Sequence, residues 1–146
     1  MDTAELDRIS YLIIQSAIEI HKVLGPGVLE KVYRPCMIYE LRARKLEVTS
    51  EVKVPVRYKD LVLDGFYRLD LLVNDAVVVE LKAVEAVHPV HRAQVLSYLR
   101  LMDKRLGLVI NFHVERLVLG VDRIVNKFGW PDSQACKSME PPTDTR

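Results

Sequence analysis

Residues Tyr67–Ala83, YRLDLLVNDAVVVELKA, decide how the rest of the chain is read. Two apolar runs, Tyr67–Val73 and Ala76–Ala83, flank Asn74-Asp75, the dipeptide signal of a tight hairpin turn. Side chains of a strand alternate between faces, so Glu80 and Lys82 share a face with Val78 while Val79 and Leu81 point the other way. Asp70 interrupts Leu69, Leu71 and Leu72 in the same manner. Ionised groups in an apolar strand are costly to desolvate unless they are paired or bound to a cation. Two carboxylates and one ammonium converging there point to a cation site. The plainer alternative is an edge-strand ion pair between Glu80 and Lys82, with Asp70 solvated.

The flanking segments supply the frame. Toward the N-terminus, Leu6, Ile9, Ile13, Ala17, Ile20 and Leu24 recur at helical steps and predict a helix over Ala4–Leu24, capped by Asp2 or Thr3. Gly25-Pro26-Gly27 stops it. A second helix is predicted from Val28 or Leu29 to about Lys45, with Glu30, Tyr33 and Met37 on one face. Val48–Tyr58 alternates apolar and polar residues as a half-buried strand, and Pro55 marks an edge or an irregularity in it. Lys59-Asp60 turns the chain into a return segment, Leu61–Asp64.

Beyond the hairpin, Pro89 opens a helix that runs to Met102 or Asp103. Gln94 and Tyr98, four residues apart, face the same way, with His91 one turn earlier. Leu106–Phe112 is an apolar run of buried-strand length, and a preceding helix allows it to pair parallel through a right-handed crossover. Leu117–Val121 predicts a shorter strand, and Asp122–Phe128 a helical turn or an edge strand. Residues 1–129 therefore read as one domain, and 130–146, polar and proline-bearing, as a flexible tail.

At 146 residues and 49% hydrophobic composition, the chain has enough apolar material for one proper core. No apolar run reaches membrane-spanning length, and Met-Asp-Thr-Ala-Glu opens without signal-peptide character. Cys36 and Cys136 fit neither a structural disulfide nor a zinc site, so a reducing cytoplasm is expected. A net charge of +1 gives no global basic field for nucleic acid. Arg42, Arg44 and Lys45, and separately Arg100, Lys104 and Arg105, read either as phosphate contacts or as charges complementing helix C-termini. Nothing resembles a Ser/His/Asp or Cys/His set, and Gly25-Pro26-Gly27 lacks the Lys-Ser/Thr of a phosphate loop.

Gly27-Val28-Leu29-Glu30-Lys31-Val32-Tyr33 matches G-x-x-E-x-x-Y, and VPVRYKD, YRLDLLV, VVVELKAVE, PVHRAQVLSYLRL and LGLVINF follow in order. Over about Glu5–Val125 the chain resembles the GxxExxY protein family, within the PD-(D/E)XK nuclease superfamily. Asp70 with Glu80-Leu81-Lys82 corresponds to the superfamily core. The resemblance implies an α/β fold with a restriction-endonuclease-like αβββαβ core, a central mixed β-sheet flanked by helices.

It also implies a Mg²⁺- or Mn²⁺-dependent nuclease hydrolysing phosphodiesters, DNA more readily than RNA, with Asp70, Glu80 and the Leu81 backbone carbonyl as metal ligands. Glu30, Lys82 and Gln94 would complete the catalytic set, with Tyr98 and Tyr33 positioning substrate or packing beside the site. A homodimer would give so small a domain more surface to grip a duplex, although no stretch identifies its interface. Two other readings stay open: a catalytically silent accessory module of the same fold, and phosphoryl chemistry on RNA or a nucleotide.

Overall fold

The computed structural model describes residues 1–127, so the tail expected from Trp130 onward, with Cys136, lies outside the described residues. Helix α1, Thr3–Leu24, buries Leu6, Ile9, Ile13, Ala17 and Ile20 on one side. Asp2 caps it by accepting the Glu5 N–H at 2.9 Å. Helix α2, Glu30–Ala43, starts one or two residues later than the apolar pattern predicts, because Leu29 is still extended. Both helices cover one face of a five-stranded sheet, and helix α3, Pro89–Met102, covers the other.

The strands are β1 (Val48–Lys53), β2 (Val56–Tyr58), β3 (Leu61–Leu63), β4 (Arg68–Val73), β5 (Val77–Lys82), β6 (Leu106–Asn111) and β7 (Val121–Val125). The main sheet runs β1-β4-β5-β6-β7. Its pairs are antiparallel except β5–β6, which is parallel across the α3 crossover, so the sheet is mixed. Asn74 and Asp75 take left-handed φ values of 51° and 52°, the conformation a tight hairpin demands.

Three expectations are corrected. Val48–Tyr58 is not one strand: the chain leaves the sheet at Val54-Pro55, where proline has no N–H for the ladder, and β2 pairs only with β3 in a separate ribbon. Leu117–Val121 is not a strand either. Leu117–Gly120 forms a 3₁₀ turn, and β7 follows as the edge strand. Thirdly, β5 is central, so Glu80 does not lie on an edge.

Gly120 explains the turn. A Cβ there would collide with the Asn111 carbonyl oxygen and come within 3.1 Å of the Val114 side chain. Gly120→Ala is expected to destabilise the fold by about 3 kcal/mol, since backbone must move to admit the methyl group. Gly27, with open space around its Cβ position, should tolerate alanine almost without effect. Urea titration of the two variants checks the contrast.

Candidate active site

The carboxylates sit where the β4–β5 ladder stops. Pairing runs from Val73 opposite Val77 to Leu71 opposite Val79 and ends there. At the next position side chains replace main-chain bonds. The Asp70 N–H donates to Oε2 of Glu80 at 2.7 Å, and the Leu81 N–H donates to Oδ2 of Asp70 at 2.8 Å. The two strands are thus laced together by each other's neighbouring carboxylates. N–H and C=O of one strand residue point to the same side, so the Leu81 carbonyl also faces β4.

The β1–β4 ladder skips at the same level. Val52 pairs with Leu69 and Ser50 with Leu71, but Glu51, opposite Asp70, has a left-handed φ of 52°. Such a conformation in the middle of a strand is strained for a residue with a Cβ. Glu51 is held by Arg34 of α2 at 2.8 Å, and the same guanidinium lies 3.7 Å from Oδ1 of Asp70. Among the described residues, the buried Arg34 Nε has no hydrogen-bond partner. Neither Arg34 nor Glu51 stood out in the sequence, where each reads as an ordinary surface charge.

Electrostatics follow from this crowding. Glu80 is only 7% exposed. Burial pushes its carboxyl up to about 7, the Asp70 charge pushes the same way, and the Asp70 N–H and the Lys82 ammonium oppose them. Glu30, the first residue of α2, is raised by desolvation and by Asp70, against the pull of Lys82 and Arg34. Lys82 also acts on His91, whose pKa is lowered by burial, by Lys82 and by His88. Glu30, Asp70, Glu80 and Lys82 therefore share one electrostatic neighbourhood. The Lys82 ammonium acts on the Glu80 carboxyl, but β5 is the central strand, so the pair does not lie on a sheet edge.

Tyr98 is buried on the α3 side, its phenol pushed up to about 12 by burial and then by Glu80, Tyr67 and Asp70. It remains a neutral hydrogen-bond donor throughout the ordinary pH range. Its ring lies 5.7 Å from that of Tyr67, and the two line a cavity of about 270 Å³ with Gln94. Tyr33 is elsewhere. It is fully buried, stacks on Phe112 at 4.0 Å, and its hydroxyl donates to the Gly25 carbonyl and accepts the Val28 N–H. Asn111, another residue the sequence did not flag, accepts the Val84 N–H and donates back to the Val84 carbonyl, fixing the exit of β5.

The basic clusters at the C-terminal ends of α2 and α3 are at the wrong end of the sheet. Lys104 pairs with Asp75 in the hairpin turn, Arg44 with Glu40, and Arg105 donates to the Met1 carbonyl. Those contacts agree with charges serving helix ends and chain termini rather than phosphate.

No three His, Cys, Asp or Glu side chains among the described residues form a ready-made metal cluster. The available oxygens are those of Asp70 and Glu80 and the Leu81 carbonyl. Asp70 Oδ1 and Glu80 Oε1 accept no hydrogen bond among the described residues. This set suits a small hard cation, which takes one or two carboxylates and keeps several waters. No helix among the described residues is long and apolar enough to cross a membrane.

The family model of the PD-(D/E)XK nuclease superfamily matches residues 7–124. The chain belongs to that superfamily. No curated protein and no solved structure matches it significantly.

Proposed function

We propose that this PD-(D/E)XK protein is a divalent-metal-dependent nuclease that hydrolyses phosphodiester bonds of nucleic acid, DNA in preference to RNA. Asp70, Glu80 and the Leu81 carbonyl would hold Mg²⁺ or Mn²⁺. The observation that carries this reading is the carboxylate lacing at the end of the β4–β5 ladder. A buried glutamate held beside a second carboxylate weakens an apolar sheet at neutral pH, and a bound cation would offset that weakness.

When bound, the metal polarises a phosphoryl oxygen and lowers the pKa of a water. Lys82 neutralises charge developing on the phosphate, a task for which a compact ammonium is suited. Glu30 approaches from the α2 side and holds a water at the site. Gln94 orients the nucleophile, and Tyr98, protonated at working pH, donates to the substrate backbone. Tyr33 acts at one remove, steadying the Gly25–Val28 loop that leads into Glu30. Glu30 and His88 mark the N-terminal ends of α2 and α3. Lys82 acts both on Glu30 and on His91 in the first turn of α3, and helix N-termini favour an anionic substrate.

Within the superfamily we assign the chain to the GxxExxY branch, with residues 1–129 as its single domain. Glu30 and Tyr33 of that motif each have separate work in this reading: the site and the loop.

Calorimetric titration with Mg²⁺ and Mn²⁺, beside nicking of a supercoiled plasmid, tests the proposal. Saturable binding with metal-dependent nicking is expected. Absence of divalent binding, even with DNA present, would overturn it and leave the accessory-module reading.

A further inference from the structure

The β2–β3 ribbon stands apart from the core. Its root is fixed, because Val54 is buried and its N–H donates to the Tyr67 carbonyl at 3.0 Å. Beyond that root, Val56 pairs with Leu63, Arg57 with Val62, and Tyr58 with Leu61. Directly opposed residues share a face, so Val56, Tyr58, Leu61 and Leu63 make one wholly apolar face. Val56 and Leu63 are half-buried near its root, but among the described residues its tip is uncovered: Tyr58 is 62% and Leu61 55% exposed, and Phe66, just past the ribbon, is 70% exposed. Isolated two-stranded ribbons are marginal in water and need a layer against them.

We propose that a second copy of this chain covers this face, ribbon against ribbon, in a two-fold dimer. Charge decides against nucleic acid as the occupant. Val56–Gly65 carries Arg57 and Lys59 against Asp60 and Asp64, a net charge of zero that draws in no polyanion and lets opposite charges meet when two copies face each other across a two-fold axis. Tyr58, Leu61 and the adjoining Phe66 expose on the order of 400 Å² per copy. With the flanking Arg57, Lys59, Asp60 and Asp64 as a polar rim, two copies would bury on the order of 1,000 Å², the lower bound of a specific interface. Among the described residues no further strand pairs with the ribbon's edges, which offer main-chain N–H and C=O groups to the same partner.

This inference does not depend on catalysis, so its failure and that of the nuclease reading are separable. Sedimentation of the full chain over the low to high micromolar range, without nucleic acid, is the test. Wild type is expected to sediment as a dimer. Tyr58→Asp combined with Leu61→Asp, and separately Tyr58→Ala, should weaken association, the double variant by ~100-fold or more. Because these side chains lie outside the buried core, circular dichroism and melting should stay those of a folded domain. Tyr39→Asp, in the groove between α1 and α2, should leave the mass unchanged. A wild type monomeric at every concentration would overturn the proposal, and so would a dimer that survives both ribbon variants. A monomer whose ribbon variants lose only DNA affinity would overturn it in favour of a nucleic-acid arm.

Discussion

Asp70→Asn is expected to abolish metal-dependent cleavage, by at least ~10³-fold, while leaving the fold in place. The substitution is chosen for what it retains. The asparagine oxygen can still accept the Leu81 N–H that Oδ2 of Asp70 now accepts at 2.8 Å, so the lacing of β5 to β4 survives. What disappears is the charge beside Arg34 and Glu80. Calorimetry should show weakened divalent binding in parallel with lost nicking. Lys82→Ala separates the two effects. Removing an ammonium that shares the neighbourhood of Glu30 and Glu80 should leave metal affinity equal or higher, while cleavage falls by roughly 10²-fold or more. An Asp70→Asn protein that nicks DNA at the wild-type rate would place the chemistry, if any, somewhere else in the chain.

The parts of this site that could be read in the sequence are those with a local signature. Asn74-Asp75 announced a hairpin because few residue pairs tolerate two successive left-handed φ values, and that hairpin fixed Asp70 and Glu80 on adjacent strands. Apolar stripes placed α1 and α3 within a residue or two, and the length and composition of Leu106–Phe112 gave the buried strand. Features that depend on partners distant in sequence were not legible. Arg34 gains meaning only when α2 crosses Asp70, and Glu51 only where the β1–β4 ladder skips. Period-2 alternation continues unbroken through Pro55, so it could not show the chain leaving one sheet to make another. The turn at Leu117–Gly120 has the sequence pattern of a strand for a similar reason. Its apolar residues fit either, and the deciding contact, Gly120 against the Asn111 carbonyl, is a tertiary one.

Glu80→Gln is expected to stabilise the metal-free protein at pH 8 while removing its divalent binding, the reverse of what a structural ion pair would do. The carboxyl is raised from 4.5 to about 7 in the fold, chiefly by burial and then by Asp70. The folded state therefore binds the Glu80 proton more tightly than the unfolded state does. Stability from this group is fully present below about pH 4.5 and is lost as pH rises through about 7, with a loss approaching about 3 kcal/mol at pH 8. Glutamine cannot ionise, and its amide oxygen can still accept the Asp70 N–H. Chemical denaturation from pH 5 to pH 8 should show wild type weakening across this range and the variant holding nearly level. The two curves should converge at the acid end, where Glu80 is protonated in wild type as well. Divalent metal added at pH 6 should release a proton from wild type, detectable as a buffer-dependent binding enthalpy, and none from Glu80→Gln. A variant less stable than wild type at pH 8 would mean that Glu80 is paired in the metal-free fold, and the buried carboxylate could no longer be read as a ligand awaiting its cation.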